Sequence, residues 1–103
     1  IVSNYDLASK VIQNVKEHNY NRYNINGLVI IDKDMTGKKI AGIPVVADLR
    51  NAAFYICQQW VDEVFVNVDE MYPYPEELIE ELLEMGMPVH VNLAKVKPVR
   101  NNL

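Results

Sequence analysis

One stretch, residues 27–48, constrains the fold of this chain more than any other part. Its sequence is GLVIIDKDMTGKKIAGIPVVAD. It opens with an apolar run at residues 28–31, bounded by Gly27 before and Asp32 after. Such a run, closed by an acidic residue, is typical of a buried parallel strand that ends at a polar edge. The segments on either side must therefore cover both faces of this strand.

Apolar periodicity divides the rest of the chain into alternating strands and helices. Short apolar runs predict further strands at residues 1–3, 45–46, 64–68 and 88–93. Helical spacing predicts helices over residues 5–17, from an Asp48 cap to residue 60, and from Pro75 to a stop at Gly86. The core-facing residues of the last two helices are predicted to be Leu49, Ala52, Ala53, Ile56, Cys57, Trp60, Leu78, Ile79, Leu82 and Leu83.

This alternation predicts an α/β fold with a doubly wound parallel sheet. The simplest arrangement is Rossmann-like, with strand order 3-2-1-4-5 and helices on both faces. With 103 residues, half of them hydrophobic, the chain forms a single domain over residues 1–103. Ligands of such sheets bind beyond the carboxyl ends of the strands, at the switch in strand order. The predicted cofactor-binding residues at that rim are Ser3, Asn4, Tyr5, Asp32 and Asn67, with Asp69 beside them.

The turn after the first strand lies where dinucleotide-binding folds have G-x-G-x-x-G/A. Ser3 and Tyr5 replace the first two glycines, and Ala8 fits the third position. A tyrosine side chain at the second position obstructs the approach of a pyrophosphate to the backbone. The helix N-terminus that follows still favours an anion. Two interpretations stay open here: an altered anion site, and an ordinary turn between a strand and a helix.

Asp32 is the strongest single polar candidate for a ligand contact. It follows the second strand, where dinucleotide folds use an acidic residue to hold a ribose hydroxyl. The alternative is that Asp32, Lys33 and Asp34 form a solvated turn.

The aromatic loop MYPYP, at residues 71–75, lies near the same rim. It is explained equally well as a pocket wall, a partner contact or a structural turn.

Composition and spacing disfavour several other classes of function. A net charge of −4 argues against nucleic acid as the main partner. The single cysteine, Cys57, excludes an internal disulfide framework and is expected in the core. His18 and His90 lie far apart without partners at ligand spacing, so no metal site is predicted. No nucleophile or general-base set is present, so no catalytic residue is assigned. A phospho-receiver domain would need acidic residues where Ser3 and Asn4 stand.

Four motifs follow one another in a recognisable order. They are GLVIID at residues 27–32, GKKIAGIPVV at 37–46, VDEV at 61–64 and MGMPV at 85–89. Their order and spacing resemble the Rossmann-like, CoA-binding-like domain of bacterial polyprenyl glycosylphosphotransferases. The resemblance covers nearly the whole chain.

The resemblance implies a non-catalytic domain, regulatory or nucleotide-binding-like, at the cytoplasmic face of the bacterial inner membrane. In that family it stands between transmembrane helices and a sugar-phosphate transferase domain of the same chain, which are the partners implied. The complete transferases start capsule and exopolysaccharide synthesis by moving a sugar-1-phosphate from a nucleotide sugar to undecaprenyl phosphate. The abrupt start at Ile1 also favours a piece of a longer membrane protein.

Possible ligands under this resemblance are NAD(P), coenzyme A and a nucleotide sugar, and a homo-oligomer is a further possible assembly. Two alternatives remain open. One is the cofactor-binding part of an NAD-dependent nucleotide-sugar dehydratase or epimerase, because the same type of domain precedes such enzymes. The other is a self-associating scaffold that binds no small molecule. No apolar run in the sequence approaches the ~18–20 residues that a transmembrane helix needs.

Overall fold

A computed structural model describes residues 1–18 and 23–91 of the chain. Within these ranges the chain forms six strands and three α-helices. The elements are β1 (Val2–Ser3), α1 (Tyr5–His18), β2 (Leu28–Ile30), β3 (Lys39–Ile40), β4 (Ile43–Asp48), α2 (Ala52–Gln58), β5 (Val64–Asn67), α3 (Glu76–Glu84) and β6 (Val89–Val91). A 3₁₀ turn, Leu49–Asn51, leads into α2.

The strands form one mixed sheet in the order β3-β4-β2-β1-β5-β6. Every neighbouring pair is parallel except β3 and β4, which run antiparallel. The predicted α/β class is thus confirmed, but the sheet is mostly rather than wholly parallel. The predicted five-strand order 3-2-1-4-5 is not matched, because residues 39–40 turn back against β4 as a sixth strand. Ala41 and Gly42 make this return with φ of 51° and 84°, the left-handed conformation that tight hairpins use.

Helices cover both faces of the sheet. Alternation along a strand sends neighbouring side chains to opposite faces, and the whole of β2 is buried. The core on the α1 face consists of Ala8, Ile12, Leu28, Ile30 and Val45. The core on the α2 and α3 face includes Val29, Ala52, Ile56, Val66, Leu78 and Leu82. The central strand therefore has two buried faces, as its apolar run predicts.

The predicted core stripe of the second helix is only partly right. Asp48 caps the 3₁₀ turn as expected, since its side chain accepts the Asn51 N–H at 3.0 Å. A 3₁₀ turn has three residues per turn rather than 3.6, which changes the direction in which residue 49 points. The helix then ends at Gln58, before the predicted stripe is complete. Ala52 and Ile56 are buried, whereas Leu49, Cys57 and Trp60 are exposed, contrary to the prediction.

Helix α3 ends at Glu84, and Gly86 provides the predicted stop two residues later. Gly86 has a φ of 81°, and the N–H of Met87 donates to the carbonyl of Leu82 at 3.0 Å, which closes the last turn. Leu78 and Leu82 are buried, but Leu83 is 56% exposed and does not belong to the core, contrary to the prediction. The glutamates of this helix lie on its solvent-exposed side.

Some predictions fall partly or wholly outside the described residues. The predicted last strand is observed only as Val89–Val91, and its residues 92–93 lie outside, as does the tail that follows. The predicted polar loop at residues 18–24 is likewise described only at its ends. Among the helices in residues 1–18 and 23–91, none has the length and apolar character needed to cross a bilayer.

The amine of Ile1 is enclosed at the N-terminal edge of the sheet. It donates a hydrogen bond to the carbonyl of Gly27 at 3.2 Å. Burial lowers the pKa of this terminal ammonium from 8.0 to about 6. The folded chain therefore favours the neutral amine over the charged one.

A chain that begins at Ile1 is accordingly expected to lose stability as the pH falls from 9 to 6. Between the folded pKa of about 6 and the unfolded value of 8.0, the unfolded state binds more protons. Stability is therefore complete above pH 8 and decreases by about 2 kcal/mol on the way to pH 6. Urea unfolding across this range measures the effect. The N-terminally acetylated chain is the control, because it carries no titrating amine; parallel pH profiles for the two chains would contradict the assignment.

Candidate functional site

The five predicted site residues meet at the C-terminal edge of the sheet. Ser3 pairs in register with Ile30 of β2 and with Asn67 of β5. Ser3 and Asn67 are buried, as is Asn4, while Tyr5 and Asp32 lie nearer the surface. We call Ser3, Asn4, Tyr5, Asp32, Asn67 and Asp69 together the rim.

Asp32 fills the anion position at the start of α1. Its Oδ1 accepts a hydrogen bond from the backbone N–H of Tyr5 at 2.8 Å, across 27 residues of sequence. The first N–H groups of a helix have no partner within the helix and carry its positive end. A bound phosphate would use these same groups. The protein thus supplies its own carboxylate where a dinucleotide fold places the ligand.

Asn4 ties the first strand to the loop after β5. The side-chain Oδ1 of Asn4 accepts the backbone N–H of Asp69 at 2.8 Å. Its Nδ2 is buried and has no hydrogen-bond partner among the described residues. The hydroxyl of Ser3 donates to the Asn4 carbonyl at 3.0 Å. Asn4 therefore fixes the switch point of the sheet, with one unused donor enclosed there.

Acidic side chains outnumber basic ones around the rim. Partial burial, and then the charges of Asp32, Asp6 and Asp69, raise the pKa of the Tyr72 hydroxyl. All three carboxylates therefore lie close enough to Tyr72 to act on it. A cation also lies here: the Nζ of Lys33 is 4.3 Å from the centre of the Tyr5 ring. An incoming phosphate would meet carboxylates at this edge, and its binding would be opposed.

Sequence reasoning missed three residues of this site: Asp6, Lys33 and Tyr72. Asp6 carries a usable signal, because an acidic residue in the first turn of a helix lies beside the preceding strand end. The sequence places the loop containing Tyr72 near the rim but gives no specific role to that side chain. Lys33 resembles any other charged residue of a turn, and no pattern in the sequence places it over an aromatic ring.

The two histidines do not contribute to the rim. His90 of β6 contacts Glu63, with 2.7 Å between Nε2 and Oε1, and packs edge-on against Phe65. His18 contacts the carbonyl of Asn14 within its own helix at 2.9 Å. In residues 1–18 and 23–91 no group of three or more His, Cys, Asp or Glu side chains is arranged to hold a metal ion.

Replacing Asp32 by alanine is expected to lower the free energy of unfolding by about 1 kcal/mol. The substitution removes a charged acceptor from the positive end of α1 and leaves the Tyr5 N–H to solvent. Urea denaturation measures the change. Asp34→Ala is the matched control: its Oδ1 accepts the Thr36 N–H at 3.2 Å within an exposed turn, and a cost under about 0.5 kcal/mol is expected. Equal costs would show that Asp32 does not act as a helix cap.

The fold and the rim together define a mostly parallel α/β domain with a self-occupied anion position. Comparison of the chain with protein-family models, with curated proteins and with solved structures found no match. The resemblance to glycosylphosphotransferase domains therefore rests on the order and spacing of the sequence motifs.

Proposed function

We propose that this chain is a non-catalytic, Rossmann-like domain of a membrane-bound sugar-phosphate transferase. The parent enzyme starts capsule or exopolysaccharide synthesis on undecaprenyl phosphate, and this domain has a regulatory or assembly role at the cytoplasmic face of the bacterial inner membrane. The order of the four sequence motifs supports the family. The parallel strands β4, β2, β1, β5 and β6, with helices on both faces, support the doubly wound arrangement.

The contact between Asp32 and the Tyr5 N–H supports a domain that does not bind a dinucleotide at this rim. A domain that binds a dinucleotide leaves the N-terminus of its first helix open for phosphate. Here a carboxylate lies 2.8 Å from that N–H, and Asp6 and Asp69 add negative charge nearby. A rim built in this way stabilises the domain itself. The regulatory or assembly role then depends on the surface of the domain. Two large apolar side chains are exposed there, Phe54 at 70% and Trp60 at 96%.

A thermal-shift screen tests this proposal. NAD, NADP, coenzyme A, UDP and UDP-glucose, each at about 1 mM, are expected to change the melting temperature by less than 1 °C, because a ligand that does not bind cannot stabilise the native state. The Asp32→Ala variant is screened in parallel, since it vacates the helix N-terminus. A shift that appears only in the variant supports the self-occupied site. A saturable shift with the unaltered chain contradicts it.

A second candidate is a nucleotide or nucleotide-sugar site at the same rim. The buried Nδ2 of Asn4 favours it, because this donor has no partner within the described residues and a ligand oxygen would satisfy it. Under this candidate the chain is the cofactor-binding part of an NAD-dependent nucleotide-sugar dehydratase or epimerase. A melting shift with NAD, weakened by Asn4→Ala, is its expected signature.

The adjoining coding sequence separates the two enzyme classes. An apolar helix and a basic transferase domain beyond Leu103 support the sugar-phosphate transferase. A second dinucleotide fingerprint, followed by a Tyr/Lys pair, supports the dehydratase or epimerase.

Sedimentation equilibrium tests the third possibility, because a scaffold that binds no small molecule would be expected to self-associate at micromolar concentration.

A further inference from the structure

A cavity of about 270 Å³ lies at the end of the sheet opposite the rim. It opens where β1, β2 and β5 begin, and none of the rim residues lines it. Its apolar lining includes Val29, Val46, Ile56 and Val64, from three strands and from α2. This cavity is therefore independent of the anion position at Asp32.

The volume of the cavity exceeds what packing defects normally leave. Protein interiors rarely contain voids larger than a water molecule, and an apolar cavity of about 150 Å³ is enough to bind benzene. The present cavity, at about 270 Å³, approaches the lower end of natural ligand pockets, about 300 Å³. It has room for a bicyclic ring system.

Three aromatic rings contribute to the wall: Tyr23, Tyr55 and Phe65. The rings of Tyr23 and Phe65 are held edge to face, with their centres 5.2 Å apart. Aromatic side chains prefer to receive another ring in this edge-on or offset way. A flat aromatic molecule is therefore the shape that this wall accommodates best.

The charges of the lining select against an anion. Among the residues that the structure describes, Asp62 and Glu63 are the acidic side chains that line the cavity, and no lysine or arginine lines it. A positive charge deep in the cavity is also disfavoured, because a charged group loses its hydration among the apolar side chains there. The carboxylates accept hydrogen bonds and donate none. A neutral ligand with an N–H or O–H donor fits these conditions.

We propose that this cavity is a binding site for a neutral aromatic molecule of one or two rings that carries a hydrogen-bond donor. The rings stack among Tyr23, Tyr55 and Phe65, above the apolar side chains of the strands. The donor faces the acidic wall formed by Asp62 and by Glu63, whose Oε1 also contacts Nε2 of His90 at 2.7 Å. The site does not depend on the function of the rim, so the failure of either proposal leaves the other standing.

An NMR titration of the whole chain with indole and with indole-3-acetate tests the site. Indole is the neutral donor probe, and indole-3-acetate has the same ring system with a negative charge. Indole is expected to shift the amide signals of Gly27, Ile56 and Phe65 saturably at millimolar concentration or below. Indole-3-acetate is expected to bind at least tenfold more weakly. Absence of localised, saturable shifts, or equal affinity for the two probes, would overturn the proposal.

Val61→Trp is the variant that fills the cavity, because Val61 lines it and is only half-buried. It is expected to weaken indole binding at least tenfold. Gln58→Trp is the matched control, as it adds the same side chain at an exposed position outside the lining, and it should bind indole normally. Undiminished binding to Val61→Trp would refute the site. Should Val61→Trp fail to fold, Tyr55→Leu removes one ring from the wall, and at least a threefold loss of affinity is expected.

Discussion

Replacing Leu82 by alanine is expected to lower the free energy of unfolding by about 4 kcal/mol. Leu82 is 0% exposed and lies on α3, in the same core as Val66 and Leu78. The substitution removes buried apolar atoms and leaves a cavity that a sheet packed on its other face cannot close, and such replacements cost about 2–5 kcal/mol. Urea denaturation followed by circular dichroism measures the loss.

The neighbouring residue provides the control for this prediction. Leu83 has the same side chain on the same helix but is 56% exposed. Leu83→Ala is therefore expected to cost less than about 0.5 kcal/mol. Similar losses at the two positions would mean that another part of the protein covers the outer side of α3, and would contradict the burial described for this helix.

The pair also shows what apolar spacing predicts and what it does not. The spacing of Leu78, Ile79, Leu82 and Leu83 correctly predicts a helix and the side of it that faces the core. It does not predict how wide the buried stripe is, because that depends on which elements pack against the helix. Trp60 illustrates the same limit: it continues the helical spacing of α2, but the helix ends at Gln58 and the side chain is 96% exposed.

Alternation of strands with helices predicts an α/β fold with a parallel sheet, and every neighbouring pair of strands except β3 and β4 is parallel. The sixth strand was not predictable in this way, because Lys39–Ile40 is too short to show a period. Its antiparallel pairing depends on a turn in which Ala41 adopts a φ of 51°, a conformation that alanine seldom adopts. The strand order at this edge of the sheet thus depends on the backbone conformation of a single turn.

The rim is also only partly predictable from the sequence. General topology placed Ser3, Asn4, Tyr5, Asp32 and Asn67 at one edge, and the structure brings them there. The hydrogen bonds between them could not be predicted, because each depends on the path of a loop. Asp32 is predicted either to contact a ligand or to lie in a solvated turn, and in the structure its Oδ1 accepts the Tyr5 N–H. Their role in binding a cofactor stays a prediction until the ligand screen is done.

Replacing Asn4 by alanine is expected to lower the free energy of unfolding by about 3 kcal/mol. Asn4 is 1% exposed, and its side-chain oxygen accepts the Asp69 N–H at 2.8 Å across 65 residues of sequence. Losing the oxygen leaves that partly buried N–H without its acceptor, which costs about 1–3 kcal/mol, and the missing side-chain atoms add a small cavity. Asn26→Ala, at an exposed position, is the control and should cost under about 0.5 kcal/mol.

A second substitution, Asn4→Asp, keeps a hydrogen-bond acceptor at residue 4 and adds an ionisable group. It therefore tests how the site responds to a negative charge. It keeps an oxygen for the Asp69 N–H, removes the unpartnered Nδ2, and places a buried carboxyl in the negative field at Tyr72. Burial and like charges raise the pKa of such a carboxyl in the folded state above its unfolded value of about 3.9. Its deficit relative to the unaltered chain should therefore be small at pH 4 and grow as the pH rises towards 7. A deficit that does not change with pH would show that neither burial nor the neighbouring carboxylates penalise a negative charge at residue 4, and would remove the electrostatic argument against phosphate binding there.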